Sequence, residues 1–111
     1  FATPVSSVYM QAYEEPQPII PPTPQALIQE HFINYEEALL IAHCESGFKP
    51  TAYNASDPFG GSYGIFQING VHGHLPETLY NPEENIKIAK ELYDQEGWYP
   101  WFNCAKKNYF I

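Results

Sequence analysis

The chain has 111 residues, of which 44% are hydrophobic and 16% aromatic, as is typical of one globular domain with a modest core. Its formal net charge is −8, with five Lys and no Arg, so it lacks the basic residues that nucleic acid or an anionic lipid surface would require. No apolar run approaches the roughly 20 residues of a membrane-spanning helix. We therefore expect no nucleic-acid partner and no membrane span.

The first residues differ in composition from the rest of the chain. Six of the eleven prolines lie within the first 24 residues, which favours an extended, polyproline-like segment. We predict a proline-rich tail or linker over residues 1–22 and one folded domain over residues 23–111.

Two helices are predicted directly after the tail. Thr23 is suited to N-cap the first, with a proline in the first helical position and an apolar side behind it. Asn34 is predicted to cap a second helix over residues 35–46, with Glu37 completing a capping box. This second helix is apolar over most of its surface, so we expect it to be central and buried, and to end at Gly47.

The remaining chain predicts a small β element and one long helix. Residues 63–69 are β-prone and typical of a strand or the arm of a short hairpin, and a loop is expected over residues 70–80. Asn81, followed by a proline and a capping-box glutamate, begins a helix over residues 82–96. The pattern indicates an α+β fold, predominantly helical, with one small β element.

One carboxylate is distinguished by its position. Glu45 lies in the last turn of the apolar helix, at the edge of the core. Burial disfavours a charged carboxylate and the negative end of the helix acts in the same direction, so we expect its pKa to be raised, as a general acid near neutral pH requires. A glutamate in such a turn more often points into water, so the assignment depends on the residues that follow.

The residues around Glu45 resemble three related families. Residues 45–54 are similar to the E-S-x-F-x-P-x-A-x-S motif of soluble lytic transglycosylases, residues 61–67 to their G-A-x-G-L-M-Q motif, and residues 81–86 to their D-P-x-x-N-I motif. Animal c-type lysozyme has similar E-S-x-F and Y-G-I-x-Q-I-N patterns. Resuscitation-promoting factors share C-E-S-G and a closing segment with two tryptophans and a cysteine. The resemblance covers residues 25–104 and implies a lysozyme-like fold that acts on peptidoglycan glycan strands.

The resemblance also implies a mechanism. Glu45 protonates the glycosidic oxygen and then takes the proton from the muramic C6 hydroxyl as this attacks C1, which yields a 1,6-anhydro sugar without consuming water. Where c-type lysozyme has a second carboxylate, this chain has Ser62. Asp57 is nearby, but its Ser-Asp-Pro context is typical of a turn or capping residue. A lytic transglycosylase is therefore favoured, with a hydrolytic muramidase and a non-catalytic glycan-binding module as alternatives.

Five polar or aromatic residues are candidates for binding substrate. The resemblance places Gln67 in the cleft near the acid, and Asn69 is a second amide suited to N-acetyl and hydroxyl groups. Ser62 and Asn54 are candidates for holding the N-acetyl group or the acid itself. Tyr63 is a candidate for stacking on sugar or for filling the core. Each polar residue has an alternative role in satisfying the backbone.

The closing segment contains two tryptophans and one of the two cysteines. Cys44 and Cys104 are compatible with a disulfide or with two buried thiols, and the resemblance to resuscitation-promoting factors implies that they pair. Trp98 and Trp101 could form a sugar platform, but packing in the core beside the central helix is favoured.

The histidines after residue 70 do not indicate a metal site. His72 and His74 have no Cys, Asp or Glu at ligand spacing, so we expect no metal and no cofactor. The chain lacks the A-Y-N-x-G motif of many transglycosylases, whose tyrosine lies near the acid, and Tyr93, Tyr99 or Tyr109 are candidate substitutes. We expect a monomer that is secreted or otherwise extracytoplasmic, in the cell wall or periplasm, or associated with a phage virion.

Overall fold

The computed structural model describes residues 16–111, so most of the predicted proline-rich tail lies outside the described residues. Residues 16–22 are exposed and have no regular secondary structure. The described elements, in chain order, are helices α1 (Pro24–His31) and α2 (Tyr35–Ser46), strands β1 (Tyr53–Asn54), β2 (Ser62–Tyr63) and β3 (Ile68–Asn69), and helices α3 (Pro76–Leu79), α4 (Pro82–Glu96) and α5 (Phe102–Lys107). The predominantly helical α+β prediction is confirmed.

Most helix ends follow from the local sequence. Thr23 Oγ1 accepts a hydrogen bond from the backbone N of Ala26 at 3.1 Å, and Asn81 Oδ1 accepts one from Glu84 at 3.0 Å. Both predicted N-caps are therefore confirmed, because each side chain satisfies a backbone donor in the first helical turn. Gly47 ends α2 in the left-handed region, with φ 63°, as predicted.

The predicted capping box at the start of α2 is wrong. Asn34 precedes the helix but its side chain accepts no cap hydrogen bond, and its ψ of 50° lies outside the extended region of a normal N-cap. Its Nδ2 instead donates to Glu37 Oε1 at 3.2 Å, and the same oxygen accepts a hydrogen bond from Trp98 Nε1 at 2.8 Å. The Glu37 carboxylate therefore binds the closing aromatic segment, which we define as residues 98–102.

The β-prone run forms two strands instead of one. β2 and β3 are antiparallel neighbours, with Ser62 opposite Asn69, and residues 64–67 turn the chain between them. β1 pairs with β2 to complete a three-stranded sheet; the sequence pattern did not predict β1. The loop expected over residues 70–80 contains a short 3₁₀ turn and α3. Two-residue strands are too short for side-chain alternation to reveal.

One buried amide fixes the hairpin turn to α4. Asn85 Oδ1 accepts a hydrogen bond from Phe66 N, and its Nδ2 donates to the carbonyl oxygens of Tyr63 and Leu79, each at 2.9 Å. Gly64 is required beside it, since a Cβ there would lie 2.4 Å from both Asn85 Nδ2 and the Leu79 oxygen. Gly64 and Asn85, which both belong to family motifs, therefore pack directly against each other where the hairpin meets α4.

The core is built around aromatic rings. Phe32 stacks on Phe66 and on Trp98, with ring centroids 5.7 and 5.8 Å apart. Trp98 and Trp101 are only 6% and 3% exposed, and Trp101 Nε1 donates to the Phe66 oxygen at 2.7 Å. The favoured prediction that the tryptophans belong to the core is confirmed. Their indole N–H groups are both satisfied by the protein, as buried tryptophans require.

A disulfide joins Cys44 at the end of α2 to Cys104 in α5. The predicted pairing is thus confirmed. The two residues are 60 positions apart in sequence and their Cα atoms are 5.8 Å apart. The bridge therefore ties the central helix to the last helix.

We expect Asn85→Ala to lower the free energy of unfolding by about 3 kcal/mol, because it leaves two buried backbone groups and one part-buried backbone group without the Asn85 hydrogen bonds. Urea denaturation measures the change. Asn108→Ala is the matched control, since Asn108 makes a single side-chain hydrogen bond, to the Cys104 oxygen, and we expect it to cost about 1 kcal/mol or less. Equal effects of the two substitutions would contradict the anchoring role of Asn85.

We expect the Cys44→Ala, Cys104→Ala double variant to lose about 4 kcal/mol of unfolding free energy, because the bridge closes a long loop and restricts the unfolded chain. The measurement is urea denaturation of the variant and the oxidised wild type, with chemically reduced wild type for comparison. If the oxidised and reduced wild type unfold at the same urea concentration, the bridge contributes no stability.

Candidate active site

A cleft of about 340 Å³ is lined by residues of the sheet with its loops and by residues of the closing segment and α5. Glu45 contributes from the end of α2. From the sheet side come Asn54, Asp57, Ser62, Gln67, Ile68, Asn69 and His72. From the later part of the chain come Leu92, Pro100, Trp101, Phe102, Asn103 and Cys104. The cleft thus brings one catalytic candidate together with a mainly polar wall.

Glu45 has the electrostatics of a general acid. The side chain is partly buried, and its pKa is raised from 4.5 to about 7. Loss of hydration is the main cause, the negative charge of Asp57 adds to it, and the positive charge of Lys107 opposes it. A carboxyl group with such a pKa holds its proton near neutral pH and can also take one back.

The residues on either side of Glu45 are each tied to another element. Cys44 is bridged to Cys104 in α5. Ser46 Oγ donates a hydrogen bond to the Ile65 oxygen in the hairpin turn at 2.6 Å. The last turn of α2 is therefore fixed both to the final helix and to the sheet, which holds the Glu45 carboxyl in a set place above the cleft.

Gln67 lies in the cleft with its amide nitrogen already engaged. Its Nε2 donates to the oxygens of Gly64 and Ala52, at 2.9 and 3.2 Å. Within residues 16–111 no hydrogen bond to its Oε1 is found, so the carbonyl end remains an acceptor that substrate can use. Its backbone has φ 49°, a conformation uncommon outside glycine and enriched at functional sites.

Asn69 and Ser62 use their polar groups largely within the protein. Asn69 Nδ2 donates to the Pro58 oxygen at 2.8 Å and contacts the Gly61 oxygen and Ser62 Oγ at 3.2 Å. Its Oδ1 accepts from Val71 N at 2.9 Å, and Ser62 is only 2% exposed. Both residues line the cleft, and both hold the preceding loop in place.

Asn54 lies in the cleft wall, but Tyr63 does not. Asn54 Oδ1 accepts hydrogen bonds from the N and Oγ of Ser56, at 3.2 and 2.6 Å, which leaves its Nδ2 as the group available to substrate. Tyr63 is outside the lining of the cleft; its hydroxyl donates to the Gly60 oxygen, and its ring stacks on Tyr53 with centroids 5.0 Å apart. The structure therefore brings Tyr63 to a tyrosine pair and not to Glu45.

Asp57 is the cleft residue that the sequence undervalued. It lies in a turn, as expected, but in the described structure no hydrogen bond to its carboxylate is found, so it caps nothing there. The turn is closed by Asn54 and Ser56 instead. Asp57 lies in the loop between β1 and β2. The available signal in the sequence was an acid between Glu45 and the β-prone run, but its Ser-Asp-Pro context indicated only a turn.

The candidate substitutes for the missing motif tyrosine lie elsewhere. Tyr93, Tyr99 and Tyr109 all line a separate hollow beside Trp98. None of the three is among the residues that line the cleft with Glu45. The acid therefore lacks a tyrosine neighbour from these positions.

Over residues 16–111, no cluster of three or more His, Cys, Asp and Glu side chains is arranged to bind a metal ion. In the same range, no helix combines the length and apolar character needed to cross a membrane.

The predominantly helical fold, the small antiparallel sheet and the acid at the end of the central helix define a lysozyme-like domain. The family model for the transglycosylase SLT domain matches residues 23–99, and the chain belongs to this family. Comparison with curated proteins and with solved structures gave no significant match. Members of this family act on peptidoglycan.

We expect Glu45→Gln to stabilise the protein relative to wild type as the pH rises from 4.5 to 7. In this window folded Glu45 keeps its proton, with a pKa of about 7, while the unfolded chain releases it near 4.5. The folded state then binds more protons, so the unfolding free energy that Glu45 contributes falls with rising pH. Glutamine does not titrate and removes this fall.

Urea denaturation at about pH 5 and about pH 8 measures the difference, because these values lie near the two ends of the titration. Glu30→Gln is the control, since Glu30 is an exposed acid on α1. A stability difference between Glu45→Gln and wild type that does not change with pH would contradict the raised pKa.

Proposed function

We propose that the protein is a lytic transglycosylase that cleaves the β-1,4 bond between N-acetylmuramic acid and N-acetylglucosamine in peptidoglycan. The observation that carries the proposal is Glu45, a partly buried acid with a pKa of about 7, over a cleft with a mainly polar wall. One group with this pKa can serve as acid and as base in turn.

In the first step, Glu45 donates its proton to the glycosidic oxygen and the bond from C1 to that oxygen breaks. The N-acetylglucosamine side leaves as an alcohol, and the N-acetyl group of the muramic sugar shares the positive charge at C1. In the second step, the muramic C6 hydroxyl attacks C1 and its proton passes to Glu45. The product is a 1,6-anhydro sugar, and the acid is restored without water.

The cleft wall supplies groups that suit an N-acetylated sugar. Gln67 Oε1 is placed to accept from an amide N–H or a hydroxyl, and Asn54 Nδ2 to donate to a carbonyl oxygen. Ser62 and Asn69 act mainly by keeping this wall in shape. Phe102, which lines the cleft and is 47% exposed, offers an apolar surface at its edge.

One observation favours hydrolysis as a second candidate function. A muramidase that uses water usually needs a second carboxylate beside its acid, and Asp57 lines the same cleft. Such an enzyme would leave reducing ends, whereas transglycosylation leaves anhydro ends. For either reaction we propose an extracytoplasmic location, since the disulfide suits an oxidising compartment.

We expect Glu45→Gln to lower peptidoglycan-lytic activity by at least about 100-fold, since the general acid is lost. Glu30→Gln, which removes the same charge from a surface remote from the cleft, should keep wild-type activity. Turbidity loss of purified peptidoglycan measures the rate, and circular dichroism checks the fold. Full activity of Glu45→Gln would contradict a catalytic role for Glu45.

The digestion products decide between the two reactions. We expect mass spectrometry of wild-type digests to give 1,6-anhydro-muramic ends. A digest that contains only reducing ends would replace the transglycosylase with a muramidase. Binding to peptidoglycan without any cleavage by wild type would favour the non-catalytic module.

A further inference from the structure

The loop that carries Asp57 is held on both sides of that residue. On one side, the Asn54 side chain accepts hydrogen bonds from both the N and the Oγ of Ser56. On the other, the Pro58 oxygen accepts from Asn69 Nδ2 at 2.8 Å and from Gly61 N at 3.3 Å. The immediate neighbours of Asp57 in sequence are therefore both fixed to the cleft wall.

The same loop is packed closely against the end of β3. A Cβ on Gly70 would lie 2.1 Å from the Phe59 oxygen, so any larger residue there would displace the loop. Gly70 N also donates to the Gly61 oxygen at 3.0 Å. Contacts of this kind leave the loop little freedom, so the cleft is where the Asp57 side chain belongs in the folded protein.

Asp57 lies among other charged groups in the cleft and has no bonding partner of its own within the described residues. Glu45, Asp57 and His72 line the cleft. The negative charge of Asp57 raises the pKa of Glu45, whereas the positive charge of Lys107 on α5 lowers it. Asp57 is partly buried, and within residues 16–111 neither a hydrogen bond nor a salt bridge to its carboxylate is found. A partly buried carboxylate without such a partner is suited to interact with charge on a substrate.

We infer that Asp57 is a second functional carboxylate of this reaction, which stabilises the positive charge developing at C1 and keeps the proton on Glu45 until the bond breaks. The inference rests on the proposed transglycosylase function. A fixed negative charge in a cleft of reduced hydration stabilises a cationic transition state more strongly than the same charge in water. Asp57 transfers no proton and forms no bond in this role.

The amides Asn54 and Asn69 acquire a related task. Each was a candidate for binding substrate directly, and each uses hydrogen bonds to hold the residues next to Asp57. They are positioning residues for this carboxylate. Asn54, Asp57 and Asn69 are separated in the sequence. Only the folded loop makes the two amides positioning residues for the Asp57 carboxylate.

The test is Asp57→Asn, which removes the charge and nearly preserves the shape. Loss of the negative neighbour makes ionisation of Glu45 easier, so the basic limb of the pH–activity profile should move to lower pH. At about pH 8, above the titration of Glu45, we expect activity on peptidoglycan to fall about tenfold, the change produced there by a shift of one pKa unit. The products should remain anhydro sugars. Glu30→Gln carries the same change in net charge and should leave the profile unmoved.

The outcomes separate this inference from the proposed function. If folded Asp57→Asn lyses peptidoglycan with the wild-type rate and pH profile, the electrostatic role is overturned while Glu45-dependent transglycosylation stands. If it loses activity but the basic limb does not move, the effect of Asp57 on the Glu45 proton is overturned. If wild type releases reducing ends and these disappear in Asp57→Asn, Asp57 activates water. That result would overturn both the inference and the proposed function.

Discussion

The hydrogen bonds of the Asn85 amide hold the hairpin turn in place, and the position of the catalytic candidate depends on that turn. The amide binds Phe66 and Tyr63 within the hairpin, and the turn in turn offers the Ile65 oxygen to Ser46. Ser46 follows Glu45 directly. The Asn85 side chain on α4 therefore helps to orient Glu45 through the hairpin turn. Neither Asn85 nor Ile65 lines the cleft itself.

The polar wall of the cleft divides into groups used by the fold and groups left for substrate. The amide nitrogen of Gln67 and both ends of Asn69 bind the protein. The Gln67 oxygen and the Asn54 nitrogen are the ends without such bonds. Because an amide has both a donor and an acceptor, one residue can secure the wall with one end and face the sugar with the other.

The features that could be predicted from the sequence are those set by residues close together in the chain. The caps at Thr23 and Asn81 and the stop at Gly47 are set by residues within a few positions, and all three are confirmed. Glu45 was found through its position at the end of an apolar helix together with the family motifs that follow it, and the disulfide was found through family resemblance. Asn34 is the residue before the helix, as predicted, but the capping box is absent, because the Glu37 carboxylate accepts hydrogen bonds from the Asn34 side chain and from the distant Trp98 instead.

What could not be predicted depends on contacts between distant parts of the chain. Two-residue strands carry too little alternation to be recognised, so the hairpin looked like one strand. Asn85 is a polar residue in a helix, and nothing local indicates that it will be fully buried. Asp57 has the sequence context of a turn, and only the folded loop puts it in the cleft with Glu45.

The disulfide has a topological consequence. Every residue that lines the cleft lies between Cys44 and Cys104 or is Cys104 itself, so the whole site is enclosed in one covalent ring. Residues 71–77 form an exposed stretch of that ring, of the kind that proteases cut first. A single cut there would open the ring without releasing a fragment, since the bridge still joins the two pieces. Both pieces that carry cleft residues would thus stay covalently joined after one proteolytic cut.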